Sequence, residues 1–173
     1  MRIAAHTGVF SYMDESQELE GYLACPSSPA EGLRPVVLVA HAWGGQDEFA
    51  RSKAQMLADL GYIGLAIDVY GKGRRGTSPE ENGKLMTPWV EDRAALRKRL
   101  LAAVQAARAV EGGDPDRLGA IGFCFGGLCV LDLARANAPG LRASIAFHAL
   151  FMPPGLGAQP PTAEWGVLIA DGK

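Results

Sequence analysis

The sequence predicts an α/β fold in which helices flank a mostly parallel central sheet, and two observations support it. Short apolar segments alternate with amphipathic or alanine-rich segments along the chain, as expected for βαβ units. Several apolar segments are uninterrupted, which is typical of strands buried on both faces. With 173 residues the chain is long enough for a real core. We therefore expect residues 1–173 to form a single domain.

Six strands are predicted. The first alternates in polarity and is typical of a hairpin strand, whereas the others are apolar and short. The predicted strands are 18–24, 36–40, 62–67, 118–122, 142–147 and 166–170.

The helices between these strands carry recognisable start and stop signals. Residues 48–60 form a helix with Phe49, Met56, Leu57 and Leu60 on one side, and Gly61 ends it. Ser78 starts a helix as N-cap, with proline at the first helical position and glutamate at the third. Thr87-Pro88 starts a longer helix, 89–110. A last helix follows Cys124 and runs to about residue 136.

Bulk properties exclude several functional classes. The composition is 48% hydrophobic and 21% charged with a net charge of −2, which gives no reason to expect nucleic-acid or membrane binding. The three cysteines include no CxxC pair, so a disulfide scaffold or a zinc site is not expected. We expect free thiols in a reducing cytoplasm, no metal and no cofactor. The N-terminus lacks the apolar core of a signal peptide.

Polar residues end five of the apolar segments. If the strands are parallel, these residues line one edge of the sheet, where ligands bind in such folds. Polar residues also follow strands simply because strands end near water. The five residues are His41, Asp68, Cys124, His148 and Asp171.

The segment GFCFGG, residues 122–127, has the pattern of a nucleophile elbow. Gly122 and Gly126 flank Cys124 at the positions where side chains would clash in a tight strand-to-helix turn. A thiol at the start of the following helix is favoured as thiolate by the helix dipole, and the Phe125 N–H would face a developing oxyanion. The alternative, a buried structural cysteine, fits Cys129 better.

A second oxyanion donor is expected from HAWGGQ, residues 41–46, which we call the HAWGGQ loop. Its glycines allow the backbone N–H groups to turn inward. Trp43 could donate its N–H and line the pocket with its ring. The alternative for Trp43 is an indole that only caps the core.

The sequence resembles the dienelactone hydrolase family of α/β-hydrolases. The matching stretches are VVLVAHAWGGQDEFAR, LGYIGLAIDVYGKG, DPDRLGAIGFCFGG and SIAFHAL, and they occur in the order and spacing of the family. The resemblance implies an α/β-hydrolase-like sheet, Cys124 as nucleophile, and an oxyanion hole from the Phe125 and Trp43 backbone. It implies small ester or lactone substrates, often carrying a carboxylate.

Basic residues after the DVYG-like strand help some family members to bind that carboxylate. Here Lys72, Arg74 and Arg75 occupy the corresponding loop, and the sequence does not say which of them would serve. The alternative is a solvated, mobile basic loop without a binding role.

Two positions depart from the family pattern. Family members carry a glutamate where Ala42 stands, so His41 could contact the thiol or substrate instead, or serve as a structural histidine. The family's acid and its histidine base fall beyond Lys173. We therefore expect a chain that lacks the last strand and helix, with 166–170 as an exposed edge through which chains could associate. The resemblance gives His148 no role as the base.

The sequence thus favours a cysteine-dependent hydrolase of small esters or lactones. The alternative is an inactive α/β-hydrolase fold that acts as a binding module. Thiol redox chemistry ranks below both. Cys124 and Cys129 belong to the same turn-and-helix unit, and their separation along the helix axis is too long for a disulfide bond.

Overall fold

The computed structural model describes residues 6–29 and 31–150, and a six-stranded sheet forms its centre. In chain order the strands are β1 (Gly8–Asp14), β2 (Gln17–Ala24), β3 (Arg34–Ala40), β4 (Ile63–Ile67), β5 (Gly113–Phe123) and β6 (Leu141–Phe147). The helices are α1 (Glu48–Asp59), α2 (Pro79–Glu91), α3 (Arg93–Arg108) and α4 (Phe125–Arg135). The predicted strand 166–170 and Asp171 lie outside the described residues.

The strand order is β1-β2-β4-β3-β5-β6, and four of the strands are parallel. β1 and β2 form an antiparallel hairpin that joins β4, whereas β4, β3, β5 and β6 run in one direction. This confirms the predicted α/β fold with a mostly parallel sheet. The register pairs Ala40 with Ile67 and with Gly122, so β3, β4 and β5 end level with one another.

The observed helix start matches the one predicted from the sequence for α2 but not for α3. The Ser78 hydroxyl accepts a hydrogen bond from the Glu81 N–H at 3.2 Å, as the N-cap pattern predicts. The predicted helix start at Thr87-Pro88 is wrong, because Pro88 lies inside α2. The break comes at Asp92, whose carboxylate accepts from the Ala95 N–H at 2.8 Å and so caps α3.

The buried side of α1 is not the apolar side that the sequence suggested. Alanines 50, 54 and 58 face the sheet, while Met56 and Leu60 are 54% and 73% exposed. The helix lies so close to β4 that a Cβ at Gly64 would stand 2.7 Å from the Ala54 Cα. Only small side chains fit between surfaces at that distance, which is why Met56 and Leu60 point outward and Leu57 is only partly buried against the alanines.

The main core lies on the other face of the sheet, beneath α3 and α4. It is built from large aliphatic and aromatic side chains, including Leu38, Leu65, Leu100, Leu128 and Tyr70, all of them fully buried. Among the described helices none is both long and apolar enough to cross a bilayer.

Candidate active site

The turn between β5 and α4 places Cys124 in a strained backbone conformation. Its φ of 54° and ψ of −115° are rare for a residue with a side chain, and such strain costs about 1–3 kcal/mol. The thiol is partly exposed at the carboxyl edge of the sheet. A strained, partly exposed cysteine between a strand and a helix fits the geometry that a nucleophile elbow requires.

The glycines of this turn are required by close backbone contacts. A Cβ at Gly122 would overlap the Gly126 carbonyl oxygen, and a Cβ at Gly126 would lie 2.7 Å from the Ala40 carbonyl carbon. A Cβ at Gly127 would approach the Ala149 Cβ to 2.6 Å. The elbow (residues 122–127) is therefore packed directly against the end of β3 and the segment after β6.

One of the two predicted oxyanion donors lies within this elbow, and the other lies in the HAWGGQ loop. Phe125 is the first residue of α4, so its N–H has no carbonyl one turn earlier in the helix. The Trp43 N–H makes no hydrogen bond to any of the residues that the structure describes. The Trp43 side chain is 37% exposed, which argues against an indole that only caps the core.

His41 is buried, and both of its ring nitrogens contact backbone groups. Nδ1 lies 2.6 Å from the Ala42 carbonyl oxygen, and Nε2 accepts from the Val69 N–H at 3.2 Å. Nδ1 therefore carries the proton and donates it. Burial lowers the pKa of this imidazole, while Asp68 and Asp47 oppose that effect. These contacts favour the structural role that the sequence left open for His41 over a role in binding substrate.

Tyr70 was not singled out from the sequence, yet it contacts both halves of the site. Its hydroxyl donates to the Trp43 carbonyl at 2.9 Å. Its ring stacks on Phe125 with centroids 5.8 Å apart and meets the edge of the His41 ring at 4.8 Å. The only sequence signal was its place two residues after the strand-end residue Asp68.

Asp68 shapes the turn that carries Tyr70. One carboxylate oxygen accepts from the Tyr70 and Gly71 N–H groups, both at 3.0 Å, and the other accepts from the Glu20 N–H at 3.0 Å. This strand-end carboxylate is occupied by backbone donors, as in an Asx turn. It thus holds the start of the next loop in place.

The loop of residues 71–77, which we call the basic loop, uses its three predicted cations differently. Lys72 pairs with Glu18 at 2.8 Å on an exposed surface, and this contact raises the pKa of Lys72. Arg75 hydrogen-bonds the Gln46 backbone carbonyl and the Gln46 Oε1, the latter at 2.9 Å. Arg74 donates to the Tyr70 carbonyl at 3.4 Å and forms no ion pair with a described carboxylate.

The basic loop also packs against the HAWGGQ loop. The Gly76 N–H donates to the Gly44 carbonyl at 3.0 Å, and Asn82 of α2 lies beside both glycines. No local pattern singles out Gln46 or Asn82, because Gln46 contacts Arg75 and Asn82 contacts Gly44, in each case more than 25 residues away.

The other two cysteines differ from Cys124 in their surroundings. Cys129 is fully buried within α4, and burial raises its pKa well above the ordinary value. Burial also raises the pKa of Cys25. All three are free, and a raised pKa makes a thiol unreactive near neutral pH.

Within residues 6–29 and 31–150, no three histidine, cysteine or acidic side chains cluster as a metal site would require.

A mostly parallel sheet, a strained residue between β5 and α4, and a glycine-rich loop after β3 together define an α/β-hydrolase fold. A family model for the dienelactone hydrolase family matches residues 19–169. The chain belongs to that family, as the resemblance in its sequence indicated.

Proteins and solved structures similar to this chain also support its membership of the dienelactone hydrolase family. A protein of Aquifex aeolicus named "Putative carboxymethylenebutenolidase" is 31% identical over 77% of this chain. A solved structure named m3DLH is 38% identical, covers 86% of the chain and has a TM-score of 0.80. A dienelactone hydrolase-like promiscuous phosphotriesterase from metagenomic libraries is 33% identical over 88% of the chain, with a TM-score of 0.81.

The chain spans only part of these relatives. It covers 57% of the Aquifex aeolicus protein, 61% of m3DLH and 62% of the phosphotriesterase.

Proposed function

We propose that this protein hydrolyses small carboxylic esters or lactones through the Cys124 thiolate. The observation that carries the proposal is the strained Cys124 backbone at the start of α4, with the Phe125 N–H beside it. Family membership supports the reaction class. A cytoplasmic location remains our expectation from the free cysteines.

In the first half-reaction the thiolate attacks the carbonyl carbon and a C–S bond forms. The carbonyl electrons move to oxygen, where the N–H groups of Phe125 and Trp43 stabilise the negative charge. The C–O bond then breaks, the alkoxide leaves with its electron pair, and a thioester remains on Cys124.

The second half-reaction needs a base that activates water. His41 does not fit this role, because its two nitrogens are engaged by Ala42 and Val69. By resemblance, the base and its acid belong to positions after Lys173, so we assign deacylation to the whole protein. Water adds to the thioester, and the carboxylic acid and thiol are released.

Among the basic residues, we propose Arg74 as the partner of a substrate carboxylate. Lys72 is already paired with Glu18, and Arg75 holds Gln46. Arg74→Gln should raise the ester concentration that half-saturates acylation of Cys124 when the ester carries a carboxylate, and leave acylation by a neutral ester unaffected. Lys72→Gln is the matched comparison, and an equal effect of both variants would contradict this assignment.

The reaction is tested by mixing the purified chain with p-nitrophenyl acetate and locating the acetyl group by mass spectrometry. We expect a burst of p-nitrophenolate and an acetyl group on Cys124. Cys124→Ala should abolish both, whereas Cys25→Ser, which removes a thiol outside the site, should leave both intact. If the chain is not acylated, the binding-module alternative is favoured. Paraoxon is a useful second reagent, because one relative is named a promiscuous phosphotriesterase.

A further inference from the structure

We propose that His41 and Tyr70 are positioning residues that together fix the Trp43 N–H as an oxyanion donor. The two side chains donate to consecutive carbonyls, those of Ala42 and Trp43, on either side of the Trp43 α-carbon. This inference rests on the proposed function, because it assigns a task within the same acyl transfer.

His41 acts on the peptide group that contains the donor itself. The Ala42 carbonyl and the Trp43 N–H belong to one peptide plane, so the bond from Nδ1 to that carbonyl also fixes the direction of the N–H. The Val69 N–H donates to Nε2 at the other end of the ring. This chain of hydrogen bonds polarises the peptide and makes the Trp43 N–H a stronger donor.

Tyr70 holds the next peptide group. Its hydroxyl bond to the Trp43 carbonyl restricts rotation of a segment that continues into Gly44 and Gly45, where Gly45 has a φ of 100°. The Gly45 N–H also donates to the Ala42 carbonyl at 3.3 Å and the Gly76 N–H to the Gly44 carbonyl at 3.0 Å. The Tyr70 hydroxyl therefore restrains the Trp43 carbonyl that these two bonds leave unheld.

Tyr70 is itself held on several sides. Asp68 accepts from its N–H, and its ring packs between those of His41 and Phe125. Since Phe125 carries the other donor, one buried aromatic group connects both sides of the oxyanion hole. A shift of Tyr70 would therefore disturb the spacing of the two N–H groups.

Both side chains remain in the protonation state that this task requires. Burial raises the pKa of Tyr70, and Cys129 and Cys124 add to the effect, so the hydroxyl stays a donor at neutral pH. Burial lowers the pKa of His41, so the ring stays neutral and its Nε2 can accept from Val69.

The test compares two reactions of the same thiol. Acylation by p-nitrophenyl acetate passes through an oxyanion, whereas alkylation by iodoacetamide displaces iodide and forms none. Their rate ratio therefore reports the oxyanion hole separately from the thiol. Removal of a complete oxyanion donor costs about 100-fold or more in rate. For Tyr70→Phe, which keeps the ring and leaves the donor misdirected, we expect acylation to fall about tenfold with alkylation unchanged.

Tyr12→Phe is the matched control. Tyr12 is also buried, and its hydroxyl donates to the Asp68 carbonyl at 2.9 Å and accepts from the Asp68 N–H at 3.1 Å. Its loss removes bonds to the Asp68 backbone, while the Asp68 carboxylate still accepts from the Tyr70 N–H. We expect the rate ratio of this variant to equal that of the unmodified chain. An equal fall in both tyrosine variants would show a general structural effect and overturn the proposal.

His41 is tested by a pair of variants. Asparagine places an amide donor near the position of Nδ1, while leucine fills similar space without a donor. We expect His41→Leu to lower the rate ratio and His41→Asn to restore most of it. Unchanged rate ratios in both Tyr70→Phe and His41→Leu would overturn this inference and leave the proposed function standing. An unmodified chain that is alkylated but never acylated would instead overturn the proposed function, and this inference with it.

Discussion

The elbow and the HAWGGQ loop face each other across the site, but they are held in different ways. Backbone contacts define the elbow: Cys124 makes no side-chain capping bond, and glycines allow the chain segments to touch. Side chains define the HAWGGQ loop, through its own His41 and through Tyr70 and Arg75 from other segments. The elbow thus depends on close contact between backbone segments, whereas the loop depends on side-chain hydrogen bonds.

The largest expected effect comes from adding one carbon to the elbow. In Gly126→Ala the new Cβ would overlap the Ala40 carbonyl oxygen and lie 2.7 Å from the His41 oxygen. Because backbone cannot move aside cheaply, we expect the free energy of unfolding to fall by more than about 3 kcal/mol. Urea denaturation followed by circular dichroism measures this loss.

Gly83→Ala is the control for this substitution. Gly83 lies in α2, and a Cβ there would meet no atom within 4 Å. Alanine is the better helix former, so we expect a gain of about 0.5–1 kcal/mol. A Gly126→Ala protein as stable as the Gly83→Ala protein would disprove the close packing of the elbow.

The same contrast explains what could be predicted from the sequence. Gly122 and Gly126 give a local signal, so the elbow, its flanking strand and its helix were all predicted, and the structure has them in place. The contacts of Tyr70 with Trp43 and of Arg75 with Gln46 span 27 and 29 residues. No local pattern encodes such pairs, because their partners meet only once the sheet is assembled.

The α1 face shows a second limit of sequence patterns. Periodicity finds the apolar side of a helix but not its distance from the sheet. Here the close approach at Gly64 selects alanines for burial and leaves Met56 and Leu60 exposed. Helix packing distance thus decided which side of α1 became the core.

An intermediate effect on stability is expected from Arg75, which contacts the HAWGGQ loop from a distant part of the chain. Arg75→Ala removes the hydrogen bonds to the Gln46 carbonyl and Oε1, and Gln46 is almost fully buried. The Gln46 Oε1 keeps longer bonds from Arg51 at 3.3 and 3.4 Å, but the Gln46 carbonyl loses its charged donor. We therefore expect a loss of about 1–2 kcal/mol in the free energy of unfolding. Thermal denaturation monitored by circular dichroism measures it.

Lys72→Ala provides the comparison within the same basic loop. The Lys72 and Glu18 side chains are 50% and 44% exposed, so their ion pair is screened by water. We expect no measurable change in stability. Equal losses in the two variants would mean that Arg75 contributes no more than an ordinary surface charge.

The smallest expected effect is a pH dependence of stability that comes from His41 in the HAWGGQ loop and not from the elbow. Burial lowers the pKa of His41 from its ordinary 6.5, so below that pH the unfolded chain binds a proton that the folded chain does not. The free energy of unfolding is therefore unaffected by this group above about pH 6.5 and falls as the pH decreases below that value. We expect the free energy of unfolding to fall between pH 7 and pH 5.5, by at most about 1.4 kcal/mol per pH unit for one proton. Asp68 and Asp47 favour the protonated ring and Arg75 opposes it, but burial is the largest cause.

Urea denaturation at several pH values between 7.5 and 5.0 measures this slope. Glu18 and Glu81, whose carboxylates also have lowered pKa values, titrate below their ordinary 4.5 and so contribute only at lower pH. His41→Asn has no titratable ring and should flatten the slope over this range. If the slope persists in His41→Asn, another group is responsible, and the neutral imidazole is not what makes the HAWGGQ loop sensitive to pH.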